Sequence, residues 1–142
     1  MNRDHPILVV EDDVLDVKNI RRSFEKNRVS NPLLFAQDGE EALAMLRREP
    51  PHEAVPRPGL ILLDLNLPRK SGIEFLREFK SIPSLREIPA VVLTTSDEPS
   101  DRRQAYEFGA AGYIVKPVTF SRFTDAIKRF DLYWSLCEVP NP

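Results

Sequence analysis

Four short, almost wholly apolar runs each stop at a residue that carries chemistry. Ile7 to Val10 (ILVV) meets Glu11, Asp12 and Asp13, Leu60 to Leu63 (LILL) meets Asp64, Ala90 to Leu93 (AVVL) meets Thr94, and Tyr113 to Val115 (YIV) meets Lys116. Between them, apolar residues recur at helical spacing. Continuous apolar runs of this length separated by amphipathic helices predict strands buried on both faces of a parallel sheet, with helices on both sides. The carboxyl ends of such strands share one edge, so residues scattered from Glu11 to Lys116 are predicted to meet at a single site.

The intervening segments complete the alternation. Val14, Val17, Ile20 and Phe24 define a first helix over Asp13 to Asn27, with Asp13 or Asp16 charging its first turn. Pro32 to Ala36 reads as a short strand, followed by Asp38-Gly39 and a helix that turns Ala42, Leu43 and Leu46 inward. Glu49 to Gly59 carries four prolines and one glycine and reads as an exposed loop, with nothing catalytic in it, His52 included. Ser71 can cap a third helix bearing Ile73, Phe75, Leu76 and Phe79, which ends before Pro83. A fourth, with a thin apolar face, runs from Asp97 to Phe108 and is closed by Gly109. Ser121 to Leu136 forms a last helix with Phe123, Ile127, Phe130 and Trp134 on one stripe. Five strands and five helices in strict alternation predict a doubly wound α/β sheet with right-handed crossovers.

Length and charge narrow what such a sheet can do. The 142 residues suit one domain, expected to span 1–142 with no separate effector domain and with 120–142 as an extended last helix and tail. Twenty basic residues dispersed among twenty-two acidic ones give a net charge of -2, which argues against a nucleic-acid surface. One cysteine, Cys137, cannot form an intrachain disulfide, and no leading apolar segment resembles a signal peptide or a membrane span; a cytoplasmic location is the expectation.

Glu11, Asp12 and Asp64 are predicted to converge within a few Å, where like charges at about 4 Å repel by roughly 4 kcal/mol at an intermediate dielectric. A raised pKa or a bound cation relieves that. Hard oxygen donors at a water-facing edge suit Mg²⁺, which keeps several waters and also takes phosphoryl oxygens. Asp13 reads better as a helix cap than as a ligand. Lys116 and Thr94, each at a strand's end, supply an ammonium and a hydroxyl to the same place.

The strings VVED, LLDLNLP, LTTS and GYIVKP resemble the receiver domains of bacterial response regulators, the chemotaxis-regulator-like (CheY-like) family, over essentially the whole chain, with the spacings from Asp64 to Thr94 and from Thr94 to Lys116 kept without a gap. The resemblance implies a flavodoxin-like (βα)5 fold with sheet order 2-1-3-4-5. It implies that Asp64 is the phosphoacceptor, that Glu11, Asp12, Asp64 and the backbone carbonyl of Asn66 hold Mg²⁺, and that Thr94 and Lys116 bind the phosphoryl oxygens. It further implies a cis Lys116–Pro117 bond, a switch pairing Thr94 with Tyr113, and tuning of phosphate lifetime by Asn66 and Ser96. Thr95 stands where the family often has Ala or Gly, which would narrow access to Asp64.

Such a protein is no enzyme beyond its own phosphorylation and dephosphorylation. Its partner would be a sensor histidine kinase, and its output a protein contact. Phe130, Tyr133, Trp134 and Leu136 make the end of the last helix apolar on more than one face, which marks an interface. That tail and the DLNLP and LTTS strings resemble the single-domain regulators of phytochrome-type kinases, and so imply a homodimer through helix four, strand five and helix five. Three rivals remain on the residues alone. A flavodoxin-type electron carrier would need a phosphate-friendly turn where Glu11-Asp12-Asp13 stands. A small-molecule phosphatase or phosphotransferase would need a substrate pocket or cap, and no insertion here is large enough for one except the proline-rich loop. A degenerate receiver acting as a constitutive interaction module would be expected to lack one of the key residue types.

Overall fold

The computed structural model describes residues 5–26, 29–117, 119, 121–123, 125–126 and 128–129. Five strands, β1 (Ile7–Val10), β2 (Leu33–Ala36), β3 (Leu60–Leu63), β4 (Ala90–Thr94) and β5 (Gly112–Val115), form one parallel sheet in the order β2-β1-β3-β4-β5. Four helices, α1 (Val14–Lys26), α2 (Gly39–Leu46), α3 (Gly72–Lys80) and α4 (Pro99–Glu107), alternate with them. A fifth is described at 121–123, 125–126 and 128–129. The doubly wound fold and its strand order are those expected. Ile127, Phe130, Tyr133, Trp134, Leu136 and Cys137 lie outside the described residues. Among those described, no helix is long and apolar enough to cross a membrane.

The strands are apolar throughout because both faces are covered. Leu8, Val10, Ile61, Leu63, Ala90 and Val92 point to one side, where Leu43 of α2, Phe75 and Phe79 of α3 and Ala105 of α4 pack on them. Their neighbours Ile7, Val9, Leu60, Leu62, Val91 and Leu93 point to the other, against Ile20 and Phe24 of α1 and Phe123 of the fifth helix. The two-residue alternation of a strand thus feeds two cores from one run. Phe24 and Phe123 meet edge to face at 5.6 Å, which ties the fifth helix to α1.

Local chemistry sets the helix boundaries. Ser71 Oγ accepts from the Glu74 N–H at 3.2 Å, as its position predicts, and Asp38 Oδ1 caps α2 through Glu41 N at 2.8 Å. Gly109 takes φ +99° just past α4, the conformation glycine tolerates best. Of α4 only Ala105 is buried, which matches its thin apolar face. The proline-rich segment departs from expectation. It is only partly exposed: Pro58 is buried, Val55 packs on the core, and Arg57 Nη1 donates to the Ser84 carbonyl at 2.5 Å. Its prolines exclude helix and strand, yet its apolar residues still find cover beside α2, around a cavity of about 280 Å³ that Met45, Leu46 and Leu85 help line.

Gly72 is where the fold meets the site. A Cβ there would lie 2.3 Å from the Asp64 carbonyl oxygen and 2.6 Å from Leu65 Cα, both backbone atoms that cannot step aside. Gly72→Ala is expected to destabilise the protein by about 2 kcal/mol or more in urea denaturation. Gly112→Ala, whose Cβ would meet the Val91 methyls at 3.6 Å or beyond, is expected to cost far less and serves as the control.

Candidate functional site

The sheet ladder extends one step past each strand and so places the polar residues. Glu11 N donates to Ala36 O at 3.0 Å, Asp64 N to Val10 O at 3.1 Å, and Lys116 N to Thr94 O at 2.7 Å. Val10 pairs with Leu63, and Thr94 with Val115, so Glu11 and Asp64 follow one pair while Lys116 follows the other. Register turns residues more than fifty positions apart into neighbours.

The Lys116 ammonium is the hub. Nζ donates to Glu11 Oε1 at 2.5 Å, to Asp16 Oδ2 at 2.8 Å and to Asp64 Oδ2 at 3.3 Å. The other Asp64 oxygen, Oδ1, accepts from the Thr94 hydroxyl at 2.9 Å and from Asn66 N at 3.1 Å. Asp64 therefore has an ammonium on one oxygen and a hydroxyl on the other. Glu11 is 4% exposed, Asp64 8% and Thr94 0%. Burial pushes the Glu11 carboxyl up to about 7, against the pull of Lys116 and with the help of the Asp64 charge. Burial alone would lower the Lys116 pKa; its bonds to Asp16 and Glu11 and the nearby negative charges outweigh that and raise it.

Of the expected site residues, Glu11, Asp64, Thr94 and Lys116 come together. Asp12 is exposed in the turn after β1, and the three carboxylates whose oxygens lie within 4.8 Å of one another are Glu11, Asp16 and Asp64. Asp16, read from the sequence only as a first-turn charge, reaches the cluster from α1. Asp13 is a cap: its Oδ1 accepts from Asp16 N at 3.0 Å, and its own N–H donates to Glu11 Oε2 at 3.3 Å. The Lys116–Pro117 peptide is cis. Hard carboxylate oxygens, partly buried and in excess over the one ammonium, fit a divalent cation.

The switch candidates form a second layer. Ser96 N donates to Thr94 Oγ1 at 3.4 Å, the Tyr113 hydroxyl donates to Ser96 O at 2.9 Å, and the Ser96 hydroxyl donates to Asp101 Oδ2 at 2.5 Å. Burial raises the Tyr113 pKa. The Arg102 guanidinium lies 5.4 Å from the Tyr113 ring centre and pairs with Asp97 at 2.5 Å. Beside Lys116, a cavity of about 280 Å³ opens between α1 and the fifth helix, with Asn19, Ile20, Leu93, Thr95, Pro117 and Phe123 in its lining. No motif in the sequence marks that cavity, because its walls come from four separate segments.

Comparison with known proteins agrees with this geometry. The family model of the response regulator receiver domain matches residues 7–128. Response regulator Rcp1 of Synechocystis is 37% identical over 128 residues, covering 90% of this chain and 87% of Rcp1. The phosphorylated cyanobacterial phytochrome response regulator RcpA superposes with a TM-score of 0.83 at 37% identity, covering 97% of this chain and 99% of RcpA. The Mn²⁺-bound form of Rcp1 gives 0.81 at 35% identity, covering 96% and 99%. With the strand order, the Asp64–Thr94–Lys116 constellation and a family match over most of its length, the chain belongs to the response regulator receiver domain family.

Proposed function

We propose that this receiver accepts a phosphoryl group from the phosphohistidine of a sensor histidine kinase onto Asp64, and signals by phosphorylation-dependent protein contact. The observation that carries the proposal is the pair of donors on Asp64, Thr94 Oγ1 at 2.9 Å on one oxygen and Lys116 Nζ at 3.3 Å on the other. An Asp64 oxygen attacks phosphorus, the P–N bond of the donor breaks, and the departing imidazole nitrogen keeps the electron pair. The chain's own contribution is to hold an ammonium and a hydroxyl beside the oxygens that gain charge. Glu11, Asp12, Asp64 and the Asn66 carbonyl are the residues that would hold Mg²⁺, with Asp12 at the water-facing rim. The ion, when bound, neutralises phosphoryl charge. RcpA is a phytochrome response regulator and Rcp1 takes Mn²⁺, which supports a phytochrome-type kinase as partner and a divalent ion at this site. A cytoplasmic location and the absence of nucleic-acid binding are part of the same reading, as is an activity limited to the protein's own phosphorylation and dephosphorylation.

Output runs through Thr94. Its hydroxyl accepts from Ser96 N, and Ser96 carries the Tyr113 hydroxyl, so re-aiming Thr94 toward a phosphoryl oxygen moves the loop that Tyr113 holds. Asn66, whose N–H donates to Asp64 Oδ1, and Ser96, whose N–H donates to Thr94 Oγ1, tune the lifetime of the phosphate. The face affected comprises α4, β5 and the described part of the fifth helix. It offers Tyr106, 49% exposed, and half-buried β5 for a second copy of the chain.

Mg²⁺-dependent labelling with phosphoramidate is expected to modify the wild type and to leave Asp64→Asn unlabelled in phosphate-affinity electrophoresis; label retained by the variant would reassign the acceptor. Because Glu11 keeps its proton up to about 7, the ion must displace that proton. Mg²⁺ affinity is therefore expected to rise with pH up to about 7.5 and then level off, with proton release read by calorimetry in buffers of different ionisation enthalpy. An affinity flat across that range contradicts the assignment of Glu11. Sedimentation equilibrium is expected to show dimers that strengthen on phosphorylation, and Tyr113→Ala is expected to lose that dependence. A monomer at high concentration, with and without phosphodonor, contradicts the dimer.

A further inference from the structure

We propose that Asp16 is a positioning residue that tethers Lys116 in the site, holding the ammonium within reach of Asp64 when Glu11 and Asp64 are engaged by a cation. The proposal rests on the phosphoacceptor reading of Asp64 and adds to it a residue outside the family motifs that the sequence resemblance drew on.

An ammonium has three protons, and Lys116 gives one to each of Glu11, Asp16 and Asp64. Two of these three carboxylates belong to the set that would hold Mg²⁺. A divalent ion on them competes directly with the ammonium for the same oxygens and, being of like charge, repels it. Asp16 lies within 4.8 Å of Glu11 and Asp64 but stands outside the set assigned above to the ion and the phosphoryl group, which leaves it to Lys116. Its bond to Nζ is 2.8 Å, shorter than the 3.3 Å to Asp64.

The backbone makes Asp16 a firm anchor. Its N–H is held by the Asp13 cap at 3.0 Å, and Asp13 N–H in turn bonds Glu11 Oε2, so α1 begins under direct control of the residue that flanks the site. A carboxylate in the first turn of a helix is favoured by the helix dipole wherever it points. The contact with Lys116, 100 residues away in sequence, is what sets this one apart. The side chain of Asp16 is one-third exposed and that of Lys116 only 11%, so the tether reaches inward from the rim and the ammonium stays covered.

Two measurements test the tether, one of them independent of phosphorylation. In protein labelled with ¹⁵N-lysine and saturated with Mg²⁺, the Lys116 ammonium cross-peak is expected in the wild type and in Asp16→Glu, and expected to vanish into solvent exchange in Asp16→Ala. In phosphoramidate labelling at saturating Mg²⁺, Asp16→Ala is expected to lower the maximal rate about tenfold, Asp16→Glu to recover most of it, and the Mg²⁺ dissociation constant to change less than about threefold. Asp16→Ala added to Lys116→Ala is expected to cost little more than Lys116→Ala alone, since the tether acts only through the ammonium. Should Asp16→Ala fail to fold, the near-isosteric Asp16→Asn carries the same comparison.

Additive losses in the double variant, or a cross-peak that persists without the Asp16 carboxylate, would overturn the tether. A tenfold weaker Mg²⁺ affinity with the cross-peak intact would overturn it too, making Asp16 a metal ligand. A protein whose cross-peaks behave as expected but whose Asp64 takes no label would refute the phosphoacceptor reading and support the tether.

Discussion

Three carboxylates share one ammonium in a space less than 5 Å across, and the site follows from that imbalance. Each unrelieved pair of like charges there costs roughly 4 kcal/mol at about 4 Å and an intermediate dielectric. The fold bears the cost in two ways. Glu11 holds a proton to about 7, and the backbone fixes its donors before the side chains arrive: Glu11, Asp64 and Lys116 are each pinned by a ladder bond at the end of a buried strand. An arrangement rigid in this sense cannot relax by moving its charges apart. A divalent cation would relax it.

Much of this was legible in the sequence because the parallel sheet has few degrees of freedom. Runs such as ILVV and LILL have no polar face to offer, so they belong in the middle of the sheet, and whatever follows them lies along a single edge. Asp64, Thr94 and Lys116 were readable on that argument alone. Asp16 was not, since a first-turn carboxylate looks the same whether it faces water or a lysine. Asp12 illustrates the converse. Adjacent to Glu11 and chemically alike, it stays exposed in the turn after β1, while Glu11, whose N–H continues the sheet ladder, is buried. The proline-rich segment was readable as irregular, but the cover found by Val55 and Pro58 depends on where α2 ends, which no local pattern encodes.

The site and the face opposite α1 are joined by very few atoms. Thr94, Ser96 and Tyr113 form one chain of hydrogen bonds across two strands and a loop, and Arg102 of α4 lies against the last of them. Among the described residues of α4 only Ala105 is buried, so the helix that carries Arg102 has few core contacts and stands next to Tyr113, the proposed switch residue.

The segment from Glu49 to Gly59 enters the sheet at the end remote from the acidic cluster, where Gly59 N bonds Pro6 O before either strand begins. The domain thus keeps its most irregular stretch at the opposite end of the strands from Glu11, Asp64 and Lys116, while a single misplaced methyl at Gly72 collides with the backbone that carries Asp64.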